Sequence, residues 1–105
     1  ARLVLPLLGT LQFQPAVSGI NRAKLVDINI RLRTGGEILR PDCKRPQRRL
    51  KDLFQLSRIP PWQRDYLPLI YSGDTLIHVP GIGTACQWQA QQGDEAVEII
   101  WHAEN

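Results

Sequence analysis

The 105-residue sequence has no apolar run approaching the roughly 18 residues of a membrane span, and no signal-peptide pattern. No membrane partner is expected. Soft metal ligands are scarce: Cys43, Cys86, His78 and His102 are the full set. None stand at the two-to-four-residue spacing of a structural zinc site, so no metal residues are assigned. Gly81-Ile82-Gly83 is too short to cradle a phosphate and lacks the following lysine, which argues against a P-loop. No Ser, His and acid combination stands out, and His78 inside a strand reads as a surface or core-edge histidine. No catalytic residue is therefore assigned. Internal repeats and low-complexity tracts are also absent. The two widely separated cysteines, without a secretory signal, point to free thiols in a cytoplasmic protein. The sequence does not start with Met and opens within a pattern, Arg2-Leu3-Val4-Leu5, as a piece of a longer protein would.

Present instead is an ordinary globular composition with an uneven charge. Hydrophobic residues make up 43% and charged residues 22%, enough for one core, so residues 1–105 read as a single domain. The net charge of +3 conceals a polarity along the chain. Between Arg31 and Arg64 there are ten basic and three acidic groups, against three basic and seven acidic over the rest.

Residues 3–13, broken by Pro6 and Gly9, read as an edge strand or a lead-in segment, and residues 15–22 as turns. Residues 25–33 alternate strictly, with Val26, Ile28, Ile30 and Leu32 on one side and Asp27, Asn29, Arg31 and Arg33 on the other. This predicts a half-buried strand whose polar face ends in two arginines. Gly35-Gly36 permits a reversal and Glu37-Ile38-Leu39 begins a second strand. Residues 40–49 carry Arg40, Lys44, Arg45, Arg48 and Arg49 with Pro41 and Pro46, which predicts a surface loop. A helix follows over 47–57, with Leu50, Leu53 and Phe54 on its apolar stripe and Arg48, Lys51 and Gln55 opposite. Ile59-Pro60-Pro61 ends it, and Pro61 opens a short second helix through Asp65. Residues 66–71 and 75–79 read as a hairpin about Ser72-Gly73-Asp74. Residues 84–88 and 96–101 read as two further strands joined across 89–95.

The runs Gly35-Gly36-Glu37, Arg49-Leu50-Lys51-Asp52-Leu53-Phe54-Gln55, Ile59-Pro60-Pro61-Trp62-Gln63-Arg64-Asp65, Pro68-Leu69-Ile70-Tyr71 and Gly73-Asp74-Thr75-Leu76 fall in one order and spacing. In that order the chain resembles the C-terminal domain of bacterial tRNA(Ile)-lysidine synthetases over about half its length. The resemblance departs at 41–46, where Cys43-Lys44-Arg45-Pro46 stand in place of a glycine-richer loop. It implies an α+β fold with a small mixed or antiparallel sheet, one main amphipathic helix and a short second helix, related to a domain of the phenylalanyl-tRNA synthetase β subunit. It implies too that this is a tRNA-binding accessory domain, while a separate catalytic domain of the same chain activates the wobble cytidine with ATP and joins lysine to it. ATP and Mg2+ are then expected for the longer enzyme and no cofactor for these residues. The SGGxDS-type ATP motif of that family does not occur here. A homodimer of the longer enzyme is among the possible partnerships.

The RNA-contact residues assigned on this reading are Arg40, Lys44, Arg45, Arg48, Arg49, Lys51, Arg58 and Arg64. Arg45, Arg48 and Lys51 in particular lie on the loop and the outward helix face, where they could meet a phosphate backbone together. Trp62, between prolines and apolar segments, reads as a core plug in preference to a base-stacking platform, and Tyr66 and Tyr71 as packing residues. A protein-interaction or interdomain packing module, its basic face docked on an acidic surface, is the alternative.

Overall fold

The computed structural model describes residues 2–6 and 8–103. The described residues form an α+β fold with three antiparallel sheets and two short α-helices. Strands β1 (Arg2–Leu5) and β2 (Gly9–Ala16) form a hairpin with Pro6 in its connection, in place of the edge strand expected over 3–13. Proline there interrupts no ladder. Pro15 is accommodated inside β2 because β1 reaches no further than Gln12, leaving that side of β2 open. After a turn, β3 (Ile20–Asn21) leads into a single 3-10 turn, Arg22–Lys24. Gly19 in this turn has φ 139°, and a Cβ there would lie 2.5 Å from the Val97 carbonyl oxygen, so only glycine fits.

The strand expected over 25–33 is shorter, β4 (Ile28–Arg31). Asp27 adopts φ 53°, which breaks the extended run and leaves Val26 and Leu32 exposed. The two-residue strands β5 (Ile38–Leu39) and β6 (Arg48–Arg49) pair with each other and close the base of the basic loop. Because Arg49 stays extended, helix α1 (Leu50–Leu56) starts later than position 47. It ends in a Schellman turn. The Ile59 amide donates to the Phe54 carbonyl and the Arg58 amide to that of Gln55, with Arg58 at φ 56° where glycine is usual. Helix α2 (Pro61–Arg64) opens on Pro61, as the sequence predicts.

Strands β7 (Leu69–Ser72) and β8 (Thr75–Val79) form the expected hairpin, and the second sheet runs β4-β7-β8-β9, with β9 being Gly83–Thr84. Leu69, Tyr71 and Leu76 pack with Leu50, Leu53 and Phe54 of α1, whereas Ile70 and Ile77 pack with Leu11 of the first sheet. The hairpin is thus covered on both faces, which explains its nearly continuous apolar sequence. The pairing expected between 84–88 and 96–101 does not form. Cys86–Trp88 makes a 3-10 turn, and β10 (Ala96–Ala103) pairs along its full length with β2 and at its start with β3. The Trp101 indole nitrogen donates to the Leu8 carbonyl at 2.9 Å, locking that long-range register.

His78 on β8 shares a 2.8 Å hydrogen bond between Nδ1 and Thr84 Oγ1, while Nε2 is sealed from solvent without a partner among the described residues. Burial disfavours the imidazolium and lowers its pKa from 6.5 to about 4. Between those values the unfolded chain binds a proton that the folded chain refuses, so stability falls as pH drops. Equilibrium unfolding at pH 7 and pH 5, above the carboxylate range, should differ by ~2 kcal/mol through this group. The difference should vanish in His78→Gln; an equal drop in that variant would place the cause elsewhere.

Candidate nucleic-acid interface

The basic segment folds as one continuous surface element: the 40–47 loop, β6, α1, the 57–60 corner and α2. On α1 the side chains of Leu50, Leu53 and Phe54 turn inward, with Leu50 1% exposed and Phe54 wholly buried, whereas Leu56 is left outside. The charges are left outside by the helical spacing.

The three acids between Arg31 and Arg64 are each engaged locally. Asp42 lies 3.5 Å from Arg45 and accepts the Lys44 amide at 2.9 Å, and Asp52 lies 3.3 Å from Arg49. Glu37 accepts from the Thr34 amide at 2.8 Å, the Thr34 hydroxyl at 3.0 Å and the Gly35 amide at 3.1 Å. Partial burial pushes its carboxyl up, but these bonds outweigh that and hold it below its ordinary value of 4.5. The Tyr71 phenol is raised, first by burial and then by the nearby Glu37 charge.

The eight assigned residues divide by their engagement. Arg40 is turned back on the loop, donating to the Arg45 carbonyl at 2.8 Å and to the Cys43 carbonyl at 2.5 Å. Arg64 donates Nε to the Ile59 carbonyl at 3.0 Å, with its guanidinium 5.7 Å from the Phe54 ring centre. Arg48 is half-buried on β6. Arg45 and Arg49 are held only in exposed ion pairs, which contribute about 0–1 kcal/mol each and exchange readily for other anions. Lys44, Lys51 and Arg58 are exposed, with no side-chain hydrogen bond or ion pair among the described residues. Arg33, absent from the assigned eight and half-buried, likewise has no side-chain hydrogen bond or ion pair among the described residues. Its guanidinium sits 5.4 Å from the same Phe54 ring, so arginines from two distant segments converge there. The sequence signal is the polar side of the 25–33 alternation, which ends in Arg31 and Arg33. Arg31 itself is occupied by Asp74 at 2.8 Å and stacks 4.3 Å from the Tyr71 ring centre.

Two packing expectations are corrected. Trp62 is 74% exposed and Tyr66 63%; neither is a core residue. Leu67, Pro68 and Leu69 fill the space beside α1 instead, and the prolines hold α2 with its indole outward. Tyr71 does pack against the core.

The expected free thiols are also corrected. Cys43 and Cys86 form a disulfide, with Cα atoms 5.2 Å apart, that ties the loop to the 3-10 turn after β9. Sequence distance hid this, because the partner is brought in by β8 and β9. The same junction carries two further bonds: the Cys86 amide donates to the Arg40 carbonyl at 2.7 Å, and Gln89 Nε2 to the Pro41 carbonyl at 2.6 Å. Replacing both cysteines by serine should cost about 2–4 kcal/mol in equilibrium unfolding, given 43 residues of sequence separation between them. An unchanged midpoint would mean that the hydrogen bonds alone hold the loop.

Similarity to known proteins extends over most of the chain. Residues 28–101 match the family described as TilS substrate C-terminal domain. The tRNA(Ile)-lysidine synthase of Nitrosomonas europaea is 43% identical over 86 residues, which cover 80% of this chain and 19% of that protein. The Salmonella typhimurium tRNA(Ile)-lysidine synthase is 34% identical over 102 residues, covering 96% and 23%. The chain thus spans about a fifth of the length of these relatives. A crystal structure of a TilS C-terminal domain superposes with a TM-score of 0.75 at 19% identity, covering 100% of this chain and 92% of that one, which shows the fold.

Proposed function

The chain belongs to the TilS substrate C-terminal domain family, and from that premise we propose that residues 1–105 are one domain, the tRNA-binding C-terminal domain of a longer tRNA(Ile)-lysidine synthase. The observation that carries this reading is the set of exposed cations, Lys44, Lys51 and Arg58, on a segment whose acids are engaged locally. Arg45 and Arg49 extend the set by exchanging weak surface pairs for phosphate. Phosphate contacts of this kind position a nucleic acid without reading its bases. Arg58 supports the reading further, because it occupies a left-handed position that glycine fills at lower cost.

On this proposal the rest of the longer enzyme activates the wobble cytidine and attaches lysine, and this domain holds the tRNA in place. No cluster of three or more His, Cys, Asp or Glu residues suited to a metal ion occurs among the described residues. ATP and Mg2+ are on this reading handled by the rest of the longer enzyme, and no step through either is derived from these residues. Further expectations of this reading are a cytoplasmic location and pairing of the longer enzyme with itself. No described helix is long and apolar enough to cross a membrane. In a reducing cytoplasm Cys43 and Cys86 would stand as neighbouring thiols, with Gln89 and the Cys86 amide still gripping the loop.

The test is steady-state kinetics of the complete enzyme carrying Lys44→Ala, Lys51→Ala and Arg58→Gly together. The KM for tRNA should rise while the ATP dependence stays constant. A KM for tRNA equal to that of the parent would favour the interdomain packing module instead.

A further inference from the structure

Resting on the RNA-binding reading above, we propose that Trp62 is a stacking platform for an unpaired RNA base, working beside the phosphate-contacting cations.

The indole is 74% exposed, yet its backbone is unusually constrained. Pro60 and Pro61 fix two consecutive φ angles at the start of α2. The Gln63 amide donates to the Pro60 carbonyl at 3.0 Å and the Tyr66 amide to the Gln63 carbonyl at 3.1 Å. Arg64, one helical turn from the corner, donates back to the Ile59 carbonyl at 3.0 Å. On one side Ile59 is packed against the core, and on the other Leu67 and Pro68 are buried. The corner therefore cannot fold Trp62 inward without dismantling those contacts. A large aromatic held outward on a rigid turn meets a ligand face with little ordering cost.

The surroundings select the ligand. Arg58 precedes the corner, Arg64 follows it, and Arg33 reaches the same Phe54 ring as Arg64. The acid within the corner itself is Asp65, exposed beside them. An apolar protein surface would leave these cations facing no counter-charge. A nucleotide supplies both halves: a flat π face for the indole and a phosphate for the guanidinium. The base must be unpaired, at a strand end or in a loop, because both faces of a base inside a duplex are already covered.

The experiment measures binding to the complete enzyme of a single-stranded oligoribonucleotide and of an abasic strand of equal length and charge. The parent enzyme should prefer the strand with bases by about 5- to 100-fold. Trp62→Ala should bring the two close together, and Trp62→Phe should retain most of the preference. Neither change alters the salt dependence, since no charge is removed. An undiminished preference in Trp62→Ala overturns the proposal. So does a lowered melting temperature of that variant without RNA, which would show the indole packed on another part of the enzyme. If the cation triple variant shows a flattened salt slope while Trp62→Ala changes nothing, this inference alone fails. If the triple variant keeps its salt dependence, the RNA-binding reading beneath it fails.

Discussion

Phe54→Ala is expected to cost about 3–5 kcal/mol of folding stability, a large share of what a domain of this size possesses. Phe54 is fully buried in the cluster formed with Leu39, Leu50, Leu53, Leu67, Leu69, Leu76 and Val79. It ties α1 to the sheet at the centre of that cluster. Its loss leaves a cavity between layers that rigid strands cannot close. The same ring is the resting place of Arg33 and Arg64, 5.4 and 5.7 Å from its centre. The variant should therefore also loosen two cations of the proposed interface. Phe54→Leu keeps most of the volume and should recover much of the stability while losing the ring contacts. Chemical denaturation reports the first effect; a midpoint unchanged in Phe54→Ala would contradict the burial of α1.

The physical reasons for what the sequence disclosed differ from element to element. The α1 stripe of Leu50, Leu53 and Phe54, the proline opening α2 and the hairpin read over 66–79, whose first strand starts only at Leu69, rest on local signals: helical spacing, fixed φ angles and a glycine turn. All three stand in the structure. Strand β10 is equally legible as a strand, but its partner is β2, at the far end of the chain, and alternation says nothing about a partner's identity. The Cys43–Cys86 bond was hidden for the same reason. Trp62 misled through its neighbours, since proline and apolar flanks are equally the surroundings of a plug and of an outward-held side chain. At the candidate interface the sequence located the cations but not their state. Only the fold distinguishes Arg40, spent on its own loop, from Lys51 and Arg58, or brings Arg33 and Arg64 to one ring, that of Phe54.

The claim that this segment binds RNA through phosphate contacts is tested most directly by the salt dependence of tRNA affinity in the complete enzyme, compared between parent and the Lys44→Ala, Lys51→Ala, Arg58→Gly variant. None of the three side chains lies in the core, and glycine suits the left-handed φ of 56° at position 58, so the variant should melt cooperatively near the parent temperature. Each lost phosphate contact lowers the steepness of log affinity against log salt by roughly 0.7 to 0.9. Three lost contacts should flatten the slope by about 2 to 3 and weaken binding to all RNA sequences alike. A folded variant whose tRNA affinity and slope match those of the parent would contradict the account, leaving the basic face as solvated surface.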